Sequence, residues 1–87
     1  MRLRTDHLPI VFGQVLREYR TRKKWSQMKL AMEAGMHLNA LGNLERGKRN
    51  PSLQTIFLLC RALDVPAAKL IAAVENRLRE TPATNRV

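Results

Sequence analysis

Ser26-Gln27-Met28-Lys29-Leu30-Ala31-Met32-Glu33-Ala34-Gly35-Met36-His37-Leu38-Asn39-Ala40-Leu41-Gly42-Asn43-Leu44-Glu45-Arg46-Gly47 is the stretch on which the fold turns. Ser26 is a good helix N-cap, because its hydroxyl can accept from one of the unpaired amides of a first turn. Leu30, Ala31 and Ala34 then recur at helical spacing up to Gly35, which tolerates the left-handed backbone that closes a helix. A second helix is expected from about Leu38 through Leu41 and Leu44 to Gly47. A connection as short as Gly35 to His37 holds its two helices at a steep mutual angle. Ala31 lies on the inner face of the first helix, where a small side chain admits the second. Leu30, Leu41 and Leu44 can then fill the angle between them.

The same periodicity continues on both sides. Phe12, Val15, Leu16 and Tyr19 recur at three- and four-residue spacing, with Arg17, Glu18, Arg20 and Arg22 on the other faces. Pro9 suits the first turn of that helix. Pro51-Ser52 opens a fourth helix with Leu53, Ile56, Phe57, Cys60 and Leu63 on one stripe, broken by Asp64-Val65-Pro66. A fifth runs from about Ala67 to Arg79, with Leu70, Ile71, Val74 and Leu78 aligned. There is no alternation of period two, no internal repeat and no long linker. The expected fold is therefore all-α, a compact five-helix bundle forming one domain over residues 9–80. A basic arm over residues 1–8 precedes it, and a tail over residues 81–87, with Pro82 and little to bury, is expected to be flexible.

Composition limits the function. The 87 residues carry sixteen Lys and Arg against seven Asp and Glu, a formal charge of +9, while 45% of them are apolar. Such a surface favours polyanions, nucleic acid first and anionic membrane second. Most of the excess, +7, lies in residues 1–49, with +2 in residues 50–87. The apolar stretch after Arg2 and Arg4 is broken at Asp6, His7 and Pro9, and no run approaches the ~18 apolar residues of a membrane span. The chain reads as cytoplasmic, with no membrane partner. Cys60, the one cysteine, has no intramolecular partner and reads as a small buried hydrophobe. His7 and His37 stand thirty residues apart without ligands at metal spacing, so no metal and no cofactor is expected. Gly42 to Lys48 nearly spells the phosphate loop G-x-x-x-x-G-K. However, Arg49 stands where Ser or Thr is needed, and these residues close a helix instead of opening one. No serine elbow or Cys/His dyad appears, so an enzyme is not expected.

Two helices joined this tightly, inside a basic half-chain, form the geometry in which a second helix enters the DNA major groove. Arg17-x-x-Arg20, Ser26-Gln27-x-x-Leu30-Ala31, Gly35, Leu44-Glu45-Arg46-Gly47-Lys48-Arg49-x-Pro51-Ser52-Leu53 and Ala62-Leu63-Asp64-Val65 together resemble the phage-repressor/Cro (Xre-like) family over about residues 10–75. The resemblance implies a lambda-repressor-like five-helix fold and a sequence-specific DNA-binding regulator, usually dimeric. It implies that His37, Leu38, Asn39 and Asn43 face bases, and that Gln27, Lys48 and Arg49 lie near phosphate. It also implies that Arg20 and Glu45 pair to tie the first helix to the end of the third. Arg17 and Arg22, from the densest run of bases, are further candidates for phosphate contact. Departures are visible as well. Leu38 can only offer van der Waals contact to a base, whereas Asn39 and Asn43 could each read adenine through the amide. Gly42 costs helix propensity but permits close approach. Lys24 stands where a glycine is common in the turn.

Trp25 is expected as a packing anchor, and Met28, Met32 and Met36 as core or turn filling. Leu70, Val74 and Leu78 are expected to form an isologous dimer interface, setting two recognition helices ~34 Å apart on a pseudo-palindromic operator of double-stranded DNA. Single-domain chains of this size resemble restriction–modification controller proteins. They also resemble antitoxins that repress their own operon, whose main partner would be a toxin protein. Arg2, Arg4 and residues 81–87 would be the segments available for that contact.

Overall fold

The computed structural model describes residues 5–80. A short 3-10 turn over Thr5–His7 leads into α1 (Leu8–Arg22), α2 (Gln27–Ala34), α3 (Leu38–Glu45), α4 (Leu53–Leu63) and α5 (Ala67–Glu80). The tail over residues 81–87 and Arg2 and Arg4 of the arm lie outside the described residues. The helix ends follow local chemistry. Ser26 Oγ accepts from the Lys29 N–H at 3.0 Å, and Ser52 Oγ accepts from the Thr55 N–H at 3.0 Å. Gly35 closes α2 at φ +70°, so that the Met36 N–H reaches the Ala31 carbonyl at 2.9 Å. Lys24 takes φ +61° without being glycine, so the α1–α2 turn keeps its left-handed residue at some local cost.

α1 lies against α5 on one side and α3 on another, while α2 packs on both α3 and α4. Leu16, Leu30, Leu41, Leu59, Leu63 and Leu70 are fully buried where these helices meet. α1 and the end of α3 approach closely. A Cβ added at Gly13 would lie 2.4 Å from the Leu44 carbonyl oxygen and 2.6 Å from that of Glu45. One at Gly47, itself at φ +75°, would lie 2.8 Å from the Ile10 Cα. Backbone therefore meets backbone at this crossing, and it fixes where α3 ends.

Three packing expectations are corrected. On α4 the buried residues are Leu59, Cys60 and Leu63, while Leu53 is 71% and Phe57 57% exposed. α4 turns its Leu59 side into the core, and Phe57, two residues earlier, points about 160° away from Leu59. On α5, Leu70, Val74 and Leu78 are 0%, 4% and 5% exposed within the single chain. They form the floor of the core against α1, so they cannot also be the surface of a dimer. The large apolar side chain that α5 exposes is Ile71. Met28 and Met32 point to solvent from α2, and only Met36 packs against the core.

Candidate nucleic-acid interface

α3 is wedged between α1 and α2 by Leu41 and Leu44, both buried. Its outer face is set by spacing: Asn39, Gly42, Asn43 and Arg46 stand at i, i+3, i+4 and i+7. Asn39 and Arg46 are exposed and Asn43 is half-buried. Ahead of them His37 occupies the N-cap at φ −72° and ψ 145° without a side-chain cap bond, and Leu38 is exposed in the first turn. The first amides of α3 thus lie beside His37 and Leu38 with the positive end of the helix dipole. The sequence-predicted residues His37, Leu38, Asn39 and Asn43 share this end and face of the helix.

Behind that face a polar clasp holds α3 in place. Arg20 on α1 grips Glu45 at the end of α3 through two hydrogen bonds, Nε to Oε2 at 2.7 Å and Nη2 to Oε1 at 3.0 Å. The Arg20 and Glu45 side chains are only 11% and 3% exposed, and Arg20 also donates to the Trp25 carbonyl at 2.8 Å. Gln27, expected near phosphate, turns its amide inward and donates to Glu45 Oε1 at 2.9 Å. It is a strut between α2 and α3, because a buried carboxylate with two oxygens needs more donors than Arg20 supplies. Its backbone N–H stays at the start of α2 among the amides without helical partners.

The basic residues divide. Arg17 lies on the same side of α1 as Gly13 and Arg20, spaced i, i+4 and i+7, and is exposed toward the end of α3. Lys48 and Arg49 are exposed in the loop after α3, where the Lys48 N–H donates to the Asn43 carbonyl at 2.9 Å. Arg49 also lines a cavity of about 210 Å³ with Met36, Ala40 and Leu44. Arg22 is not brought to this surface. Two residues past Arg20, it points about 160° away, with its guanidinium 4.8 Å from the Tyr19 ring and 4.0 Å from Glu18. Glu18 is in turn held by Arg77 of α5 through bonds of 2.6 and 2.8 Å. That hydrogen-bonded guanidinium, with its charge, holds the Glu18 carboxyl below its ordinary range. Trp25 is half-buried against the core, with Lys23 and Lys29 ammonium groups 4.9 and 5.4 Å from its ring.

Cys60 is buried, and burial alone pushes its thiol up, away from reactivity. Among the described residues no helix is long and apolar enough to cross a membrane.

Sequence reasoning missed Arg46, which shares the outer face of α3. The spacing to Asn39 and Asn43 carries that signal. It also missed Gly13, whose place inside an apolar helix hints at close packing. The Glu18–Arg77 pair, 59 residues apart, has no local signal at all.

A polar helix face backed by a fixed clasp and bordered by arginine and lysine is the arrangement of a helix-turn-helix DNA-binding protein. Residues 16–70 match the family described as Helix-turn-helix, and the chain belongs to that family of DNA-binding transcription regulators. It is similar to control protein C.BamHI of Bacillus amyloliquefaciens, with 38% identity over 68 residues covering 77% of this chain and 84% of the relative. It is 34% identical over 61 residues to control protein C.SmaI of Serratia marcescens, covering 70% and 73% of the two chains. Among solved structures it is similar to the restriction-modification controller protein C.AhdI from Aeromonas hydrophila, at 45% identity and a TM-score of 0.70. That likeness covers 71% of this chain and 94% of the other.

Proposed function

We propose that this chain is a homodimeric regulator of the restriction–modification controller type that reads a pseudo-palindromic operator, one α3 per half-site. The outer face of α3 carries this reading. Its side chains Asn39, Asn43 and Arg46 hold up no part of the core, and Arg17, Lys48 and Arg49 border them as phosphate partners. His37 and Leu38 complete the base-facing set, with Leu38 suited to a thymine methyl. The control-protein relatives support the controller assignment. Neutral and guanidinium groups on α3 would supply sequence preference, while the surrounding lysines and arginines supply affinity and register.

For the dimer, the exposed apolar residues of α4 and α5 replace the buried ones. Leu53 and Phe57 stand one turn apart on α4, and Ile56 of α4 and Ile71 of α5 line one cavity of about 290 Å³ together with Leu8 and Phe12 of α1. This patch suits a second copy of the chain. Selection of binding sites from random DNA at fixed salt tests the whole reading. It should recover an inverted repeat with half-sites about 10 base pairs apart, bound at least ~10³-fold tighter than unrelated sequence. Absence of a consensus refutes it. Phe57→Lys should leave folding intact and shift sedimentation to monomer, and a wild type that sediments only as monomer at tens of micromolar refutes the dimer.

A further inference from the structure

We propose that Asn43 and Arg46 act as a single unit that reads guanine, seated on the bare backbone of Gly42. The proposal rests on α3 being the base-reading helix. Arg46 Nη2 donates to Asn43 Oδ1 at 2.8 Å, so the oxygen of this amide is already engaged by its own helix. Reading adenine through both edges needs that oxygen to accept from the adenine amino group while the nitrogen donates to N7. With Oδ1 held, what Asn43 has left to offer a base is its NH₂ group, and the Arg46 guanidinium beside it adds further N–H donors and no acceptor. A surface made only of donors complements the base edge that shows two adjacent acceptors in the major groove, N7 and O6 of guanine.

Gly42 explains how the arginine is held there. A Cβ at this position would lie 3.1 Å from Nη1, 3.5 Å from Nη2 and 3.6 Å from Cζ of Arg46. The guanidinium thus lies directly over residue 42, and Gly42 is buried although Asn39 and Arg46 on the same face are exposed. A guanidinium already placed and oriented loses less freedom on meeting a base than a free one. The glycine that weakens the helix is in this way part of the reading device. Asn39, one turn earlier and exposed, keeps its expected role toward adenine.

The test is site selection from random DNA with the wild type, Asn43→Ala, Arg46→Ala, Arg46→Lys and Gly42→Ala, each first checked for native helicity and melting. The half-site position relaxed by Asn43→Ala marks the base under the unit. There the wild type should prefer guanine by roughly 5- to 150-fold. Arg46→Ala should abolish that preference at the same position and let adenine rise, because Oδ1 is released. Arg46→Lys, with no planar fork, should weaken it. Gly42→Ala should weaken it too, by displacing the guanidinium. The proposal is overturned if the wild type prefers adenine there, if Asn43→Ala and Arg46→Ala relax different positions, or if Arg46→Ala lowers affinity for all sequences equally. A consensus with another base at this position refutes the unit alone, whereas no consensus at all refutes base reading by α3 as well.

Discussion

Replacing Gly13 by alanine should destabilise the protein even though alanine is the better helix former. The substitution gains ~1 kcal/mol of intrinsic propensity in α1. Against this, the new Cβ would lie 2.4 Å from the Leu44 oxygen and 2.6 Å from the Glu45 oxygen, where ordinary contact begins at 3.4 Å. The overlap is about 1 Å, and both obstacles are backbone carbonyls, so no side chain can rotate to relieve it. Either α1 and α3 separate or the last turn of α3 unwinds, and the Leu44 carbonyl would then lose its bond from the Gly47 N–H. Overpacking of this kind costs ~1–3 kcal/mol, and fixed backbone puts Gly13 at the upper end. The net loss is ~2 kcal/mol, a fall in melting temperature of about 8–16 °C for a domain of this size. Gly42→Ala is the internal control, since its Cβ meets only the far end of Arg46 at 3.1 Å. That variant should gain up to ~1 kcal/mol and melt a few degrees higher. Thermal melts followed by circular dichroism, at one protein concentration because self-association would couple to stability, measure both. A Gly13→Ala protein melting at or above the wild type refutes the close α1–α3 crossing.

Arg20→Met should lower stability by about 3–5 kcal/mol, because it leaves the Glu45 carboxylate buried with Gln27 as its remaining side-chain donor. Adding Glu45→Leu should restore most of that loss in a denaturant titration, and a double variant no more stable than the single contradicts the account. Lys48→Ala should flatten the slope of log K against log salt by about 0.9, whereas Arg22→Ala, held over Tyr19 and beside Glu18, should leave it unchanged. Binding titrations at several salt concentrations check the ranking, and the reverse order contradicts the placement of these two residues. Glu18→Gln should lower the melting temperature at neutral pH, by the modest amount of a half-exposed pair, below about 1 kcal/mol. Because Arg77 depresses the folded pKa of Glu18, its contribution is complete above the ordinary value of 4.5 and disappears as pH falls through the lowered one. The gap between wild type and variant should therefore close only in acid, and a gap that widens there refutes the assignment.

The parts of this fold legible in the sequence are the ones decided within a few residues. Ser26, Ser52 and Gly35 terminate helices by bonds to their own neighbours, so spacing and residue type suffice to find them. What each apolar stripe meets is decided by distant residues. Periodicity marks Leu70, Val74 and Leu78 as one face of α5, but only the position of α1 assigns that face to the chain's own core. On α4 the stripe is blurred because apolar residues cover more than half of the helix circumference, and packing against α2 and α5 buries Leu59 and leaves Phe57 exposed. Gln27 shows the same limit at the candidate site. Its place at the start of α2 is legible, but the inward turn of its amide depends on a carboxylate 18 residues away. Arg46 is the opposite case. Its spacing of seven residues from Asn39 is local and readable, and although α3 ends at Glu45 the helical backbone of its C-cap keeps Arg46 on the outer face.

On the proposed reading, two separate sets of residues do the two jobs of α3. Leu41, Leu44, Glu45 and the carbonyls facing Gly13 fix its position from behind, through α1 and α2. Asn39, Asn43 and Arg46 in front have no core contact to preserve, and surface changes of that kind usually move stability by less than ~0.5 kcal/mol. Sequence preference can therefore be altered on the front without loosening the frame. Damage to the clasp behind would move every front residue together. Gly42 is the one position that belongs to both sets, since it is part of the helix backbone and also the seat of Arg46. It is the place where a gain in helix stability and a loss of base discrimination should appear in the same variant.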